Sequence, residues 1–494
     1  MSKTVILVNP DRGKPPVSPA TLDYLSTALI ENGYEPDLLD LSSESDWYCA
    51  TSEAVAGREV LAVAILQRHL DDGLLSSQTF FLPKSKTLVE YLRSKTKAPV
   101  IVMGGAFSIY PEAILKFCRA DYGIVGDADD ALPALVSAIE TGGDPLAIPN
   151  VAMIVDKVYR QENTKSADLS RKPYSSRHMM DNTRYQNEGG QVWFETKRGC
   201  ESQTTYGVDA LTAGQTIRLR NPKHVAKEIE ALADEGIFCL EALDTEFNRP
   251  HDHALKICKA MQALNLQDRV LWFATCSPLD FTAELAHAME DAGCSGIRFR
   301  IDSGDPEQLG RLGREHGPED VLRTFEACRD VDFLTMYEVV MGGPGETRNT
   351  IANTFKLLRQ VRADMVTILY GVRVYPNTPL GESVRHNGSL RENYHLRGAI
   401  YNNANLLRPV FYVESLLGRG VEEYIEGLID GDPTYLFPFR KDIEKIYNYN
   451  DSSVLIEAVT LHGHRGPEWE VFWRLINNLP PLNKSDLGRA AVAA

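Results

Sequence analysis

No two of the eight cysteines in this 494-residue chain form a CxxC pair, and none follows Cys328. Cys49, Cys118, Cys200, Cys239, Cys258, Cys276, Cys294 and Cys328 are dispersed, which argues against a zinc ribbon and gives no disulfide framework. No apolar run approaches the ~20 residues that cross a bilayer, so a membrane partner is not expected. Residues 1–9 read as a short strand without a signal-peptide layout, and a cytoplasmic location is the expectation. Positive charge is also in deficit. Against 52 Lys and Arg stand 68 Asp and Glu, a formal charge of −16 that opposes attraction to nucleic-acid phosphates and favours a small-molecule substrate.

What is present is ordinary globular material, 43% hydrophobic and 24% charged, in a chain too long for one hydrophobic core. Residues 1–148 alternate short β-branched runs (5–8, 61–66, 100–103, 122–125) with helical spacing (19–32, 86–94), the pattern of a parallel, doubly wound α/β sheet. Residues 149–190 read as a linker carrying a hairpin at 151–160. From 191 to 382 six further strand-helix units follow, with strands at 192–196, 238–243, 270–275, 296–301, 336–341 and 366–372. Val225, Ile229 and Leu232 give one intervening helix a single apolar face, and a partial parallel barrel is the economical reading. Residues 383–494 read as a mainly helical C-terminal domain, rich in Tyr and Asn at 447–451.

A parallel barrel presents its ligands to the loops after its strands, so those loops carry the chemistry. After the first strand comes Thr196-Lys197-Arg198-Gly199-Cys200. After the second comes the segment 243–248, in which Asp244 and Glu246 are candidates for proton handling or charge stabilisation. After the fourth stand Asp302 and Ser303, which suit either a ribose or ammonium contact or a helix N-cap. After the fifth, Gly342-Gly343-Pro344-Gly345-Glu346-Thr347 is a turn whose glycines let backbone approach a ligand. After the sixth come Arg373 and Tyr375. In the first domain Gly104, Gly105, Ala106, Phe107 and Ser108 follow one strand, and Gly126 and Asp127 follow the next. Glycines there bring backbone amides to a nucleotide-like group. His69 is the one histidine near these loops and reads as a solvated loop residue, and His462 and His464 do not have the spacing of a hydrolytic zinc site.

Together these segments resemble the cobalamin-binding-domain radical-SAM family along nearly the whole chain. The resemblance implies a Rossmann-like cobalamin-binding domain, a radical-SAM-type (β/α)6 partial barrel and a helical tail. It implies cobalamin over the Gly104–Ser108 loop and at Gly126 and Asp127, and S-adenosylmethionine at Tyr206, Asp302, Ser303, the Gly342–Gly345 turn and Tyr375. It further implies Asp244, Glu246 and Arg373 as catalytic candidates. One motif departs. Where the family places three cysteines the chain has Cys200, Thr204 and Gly207, and one thiolate cannot hold three irons, so neither an iron-sulfur cluster nor another metal ligand is expected. The implied function is methyl or other alkyl transfer to a small molecule by non-radical chemistry. Two alternatives stay open: a non-catalytic ligand-binding protein that partners an active paralogue, and a radical enzyme driven by cobalamin alone.

Overall fold

The computed structural model describes residues 3–172, 175, 177–437 and 453–487; the Tyr- and Asn-rich stretch at 447–451 lies outside them. No helix among the described residues is long and apolar enough to cross a membrane.

Two seven-stranded sheets organise the chain. In the first, the strands Glu35–Asp40, Thr4–Asn9, Ala62–Leu66, Val100–Met103 and Tyr122–Ile124 lie side by side in that order, all parallel. The three central runs, Thr4–Asn9, Ala62–Leu66 and Val100–Met103, are largely apolar because helices cover both faces. Val5, Leu7, Ala64 and Met103 face one core, while Ile6, Val8, Ile65 and Val102 face the other. Two antiparallel strands, Val151–Val155 and Val158–Gln161, extend this sheet, so the hairpin within 149–190 is part of the sheet rather than a free connection.

The second sheet is an open, all-parallel partial barrel. Its strands run Val192–Phe194, Cys239–Ala242, Leu271–Cys276, Cys294–Asp302, Leu334–Met341 and Met365–Tyr370 in order, and Tyr435–Leu436 from the C-terminal region joins as a seventh. The six strands read from the sequence are all present. The C-terminal region is less purely helical than expected. It contributes Leu396–Gly398 and Val410–Tyr412 to a small antiparallel sheet with Val372–Arg373, besides that seventh strand.

A fully buried ionic cluster joins the two halves. Arg177 donates to Asp23 of the first domain at 2.8 Å and to Glu228 of the barrel at 2.9 Å, and Arg220 adds a 2.6 Å bond to Glu228. Buried charges are tolerated only when paired in this way. The halves are thereby fixed with both sets of strand carboxyl ends on one space.

Candidate functional site

That space is a cavity of about 490 Å³, lined from the first sheet by the loops after three strands and from the barrel by the ends of its first two. Local chemistry shapes the first-domain loops. Gly104 has φ +105°, and a Cβ there would lie 2.7 Å from the Gln67 carbonyl oxygen, so only glycine fits. Ser108 Oγ donates to the Gly104 carbonyl (3.1 Å) and accepts from the Gly126 amide (2.8 Å), bracing the two expected cofactor loops against each other. Gly104, Gly105, Ala106, Gly126 and Asp127 line the cavity. Phe107 does not. It is fully buried and fills the space left by Gly123, where a Cβ would sit 1.8 Å from its ring, so its role is in the core rather than at a cofactor.

The opposite wall is charged. Arg198 donates to Asp129 (2.5 Å), Asp127 (3.2 Å) and Glu195 (2.8 Å), and Arg218 also binds Asp127. Burial alone would raise the Asp129 pKa, but the Arg198 guanidinium holds it below the ordinary carboxylate value. For Glu195 burial outweighs the arginines and the pKa is raised. Arg68 binds Asp11 (2.8 Å) and lies 5.9 Å over the Trp193 ring, while its Nε and Nη1 are buried without a hydrogen-bond partner. Unmet donors at the edge of a cavity suit a polar organic ligand.

Lys197–Arg198 pairs antiparallel with Arg218–Leu219, so residues 199–217 form a closed excursion across the barrel mouth. Cys200 is buried within it, its thiol pushed up to about 11 by burial and by the nearby carboxylates of Asp209 and Glu246. Thr204 Oγ1 accepts from the Gly207 amide at 3.0 Å, so the two remaining motif positions satisfy each other. Cys239 packs in the barrel floor, with a thiol raised to about 12 by burial, and Cys276 packs in the core shared with the first domain. Among the described residues no three His, Cys, Asp or Glu side chains are grouped to hold a metal ion. This donor set does not fit an iron-sulfur cluster, which needs three thiolates on this loop. The same excursion carries the short helix Asp209–Ala213, whose Thr212 methyl stands 3.8 Å from where a Gly105 Cβ would be.

The remaining expected residues serve the fold in this conformation. Asp244 accepts from the Thr196 amide (2.9 Å), the Lys197 amide (3.3 Å) and the Thr196 hydroxyl, with the Lys197 ammonium 3.4 Å away. It clamps the first strand end and also lines the cavity. Glu246 faces Arg249 at 3.7 Å and lies outside the cavity lining, while its carbonyl receives Lys197 Nζ at 2.7 Å. Arg373 spans the domains. It donates to Asp71 (3.0 Å), stacks on Tyr375 and contacts the Val374 and Leu406 carbonyls, so it is an interdomain tie rather than a catalytic group. Tyr375 does line the cavity.

Asp302 is fully buried at φ +57° and takes hydrogen bonds from Tyr206 Oη (2.6 Å) and from Arg314 (2.6 and 2.9 Å). Both Asp302 and Tyr206 are therefore committed to each other, not to a ribose. Ser303 pairs with Thr354, and it is Asp305 that caps the following helix, so the N-cap alternative for Asp302 and Ser303 does not hold either. The Gly342–Gly345 turn is closed by its own chain. The Glu346 carboxylate takes the Gly342 and Gly343 amides, and Glu414 takes that of Gly345 (2.7 Å). Neither this turn nor Pro344 reaches the cavity lining. Arg198, Arg218, Asp129 and Trp193 were not singled out from the sequence. Their partners lie far away along the chain, and only the position of Arg198 just after the first strand hinted at a site.

Residues 199–358 match the family model of the radical SAM superfamily. The chain is 26% identical over 445 residues to tryptophan 2-C-methyltransferase of Streptomyces laurentii, covering 77% of this chain and 74% of that protein. It is similar in fold (TM-score 0.89, 25% identity, 97% of this chain and 98% of the other) to the radical S-adenosylmethionine methyltransferase TsrM of Kitasatospora setae, solved with tryptophan substrate and the SAM analogue aza-SAM. A second TsrM structure, with cobalamin and a [4Fe-4S] cluster bound, superposes with a TM-score of 0.87 at 24% identity, over 97% of this chain and 98% of that one. The cobalamin-dependent S-adenosylmethionine radical enzyme OxsB shares the fold at 13% identity with a TM-score of 0.68, over 98% of this chain and 74% of that one. Residues 199–358 thus carry the radical SAM match, behind a Rossmann-like first sheet, and the relatives the chain is similar to along its length are cobalamin-dependent radical SAM enzymes.

Proposed function

We propose that the chain is a cobalamin- and S-adenosylmethionine-dependent methyltransferase acting on a small molecule at the cavity between the two sheets, without an iron-sulfur cluster. The observation that carries this reading is the convergence of glycine loops and unmet Arg68 donors on one cavity, in a chain similar to methyltransferases over most of its length. Gly104, Gly105, Ala106 and Gly126 would hold the cobalamin side, and Arg68 would meet its polar groups. When bound, cobalamin supplies a methyl carrier and S-adenosylmethionine the methyl donor.

The chain's own residues supply the setting. A cavity of about 490 Å³ is of drug-ligand size, so a corrin macrocycle enters only if the Asp209–Ala213 segment moves off the Gly105 loop. Lys197, held at Asp244, and Arg198, held among Asp127, Asp129 and Glu195, line that space as fixed, paired charge. With Thr204 and Gly207 in place of thiolates there is no electron source on this loop, which favours polar over radical transfer.

A non-catalytic ligand-binding protein is the second reading. It is favoured by the closed state of Asp302 and of the Gly342–Gly345 turn. Incubating cobalamin-loaded protein with methyl-deuterated S-adenosylmethionine and candidate acceptors separates the two. Label in an acceptor, seen by mass spectrometry, supports the transferase; cobalamin binding with no label transfer supports the binding protein.

A further inference from the structure

A second cavity, of about 500 Å³, lies at the other end of the partial barrel. Leu271, Ser295 and Leu334 line it from the amino ends of three strands, and Asp364 from just before a fourth. The helices Pro318–Ala327 and Arg348–Val361 reach it with their C-terminal turns, at Phe325 and Val361. Glu470, Trp473 and Arg474 of the helix Glu468–Ile476 complete the wall. Parallel barrels carry their reactions at the carboxyl ends of the strands, so the proposed methyl transfer makes no use of this end. Its volume is nonetheless that of a small-molecule site, in an interior where voids larger than a water molecule are few.

Phe325, Val331, Phe333, Trp473 and Leu482 give this cavity an apolar wall, and one buried polar group in it is unmet. Glu470 is 3% exposed. Arg474 Nε donates to its Oε1 at 2.6 Å, while among the described residues its Oε2 has no hydrogen-bond partner. Arg474 is itself fixed, since its Nη1 donates to the Pro480 carbonyl at 2.6 Å. Burial pushes the Glu470 carboxyl up to about 7 against the pull of Arg474. A buried acceptor left open costs free energy that a donating ligand would recover.

We infer that this second cavity binds a neutral, largely apolar molecule through one donating hydroxyl, an alcohol or a phenol, with the hydroxyl on Glu470 Oε2 and the apolar body against Phe325, Phe333 and Trp473. Charge selects the head group. Arg474 already balances Glu470, so an ammonium would leave the buried site with a surplus positive charge beside that guanidinium. A carboxylate would meet Glu470 and the C-terminal ends of two helices, whose carbonyls carry partial negative charge. A hydroxyl satisfies Oε2 and adds no charge. The inference concerns a different cavity from the proposed methyl-transfer site and stands or falls independently of it.

Titration calorimetry on the full chain tests it with 4-propylphenol, its methyl ether 4-propylanisole (no donor), 4-propylbenzylamine (a cation) and 4-propylbenzoate (an anion). The titrations are run at about pH 8, where Glu470 is mostly ionised. The phenol is expected to bind about tenfold or more tighter than the ether, the worth of one hydrogen bond to a charged group, and tighter than either ion. Glu470→Gln keeps an oxygen for Arg474 and puts a donating amide nitrogen in place of Oε2, so it should reduce the phenol's advantage over the ether to about twofold or less. Val331→Trp, which narrows the cavity, should weaken phenol and ether alike. Far-UV circular dichroism is the folding control; if Glu470→Gln does not fold, the native comparison and Val331→Trp decide alone. Equal affinity for phenol and ether, tighter binding of either ion, an advantage unchanged in Glu470→Gln, binding unaffected by Val331→Trp, or no binding of the phenol overturns the inference.

Discussion

Replacing Arg314 with methionine removes the only cation hydrogen-bonded to Asp302 among the described residues. The Asp302 side chain is fully buried and the Arg314 side chain is 6% exposed. Two of the three hydrogen bonds to the carboxylate come from that guanidinium, the third from Tyr206. Removing one partner of such a pair leaves a charge without compensation and costs about 3–5 kcal/mol. A domain's whole stability is about 5–15 kcal/mol, so the loss should be plain in urea unfolding followed by circular dichroism. The pH dependence gives a second handle. In the native chain burial would raise the Asp302 pKa, but Arg314 and Tyr206 hold it below the ordinary carboxylate value. Its contribution is therefore fully present above that value and is lost as pH falls through the lower folded value. In Arg314→Met burial is opposed only by the Tyr206 hydrogen bond and the more distant Arg300 charge, and the folded pKa is expected to rise above the unfolded one. The variant should then lose stability as pH rises past about 4, with a deficit larger at pH 8 than at pH 5. Adding Asp302→Asn should recover part of the loss. A deficit under about 1 kcal/mol, or one independent of pH, would refute the reasoning.

Burial pushes the Glu346 carboxyl up to about 8, so the native chain should lose stability as pH rises from about 4.5 and level off above 8. Glu346→Gln keeps an acceptor for the Gly342 and Gly343 amides and should gain on the native chain at pH 9 relative to pH 6 in thermal melts; an unchanged difference contradicts the assignment. Thr204→Cys with Gly207→Cys should confer iron uptake on anaerobic reconstitution that the native chain lacks. Gly207→Cys alone should destabilise, because its Cβ would lie 2.3 Å from Thr204 Oγ1. Arg373→Met breaks the buried tie to Asp71 and should cost about 3–5 kcal/mol in the same urea assay; normal stability would remove its role as an interdomain tie.

The barrel strands were legible because strands covered on both faces read as short apolar runs, as Leu334–Met341 and Met365–Tyr370 do. Glu35–Asp40 was not read. Pro36 and three acidic residues obscure it, and it is tolerated there because the strand lies at the sheet edge. Tyr435–Leu436 is too short to register and exists only because Met365–Tyr370 offers it a partner. At the site, glycine loops such as Gly104–Gly105 were visible from composition and position. The commitments of Asp244, Asp302 and Arg373 were not, since each is decided by partners such as Thr196, Arg314 and Asp71 that spacing cannot place. Phe107 shows the same limit, because only the packed structure reveals that it occupies the space above Gly123.

The proposed function requires that the Cys200–Gly207 loop bind no iron while the cavity beside it binds cobalamin. Protein reconstituted anaerobically with iron, sulfide and hydroxocobalamin, desalted, and analysed for both metals alongside its absorption spectrum tests this most directly. Cobalt near stoichiometric with the chain and iron at trace level is the predicted result. A full cluster's complement of iron with cluster absorption, or no retained cobalt, would contradict it.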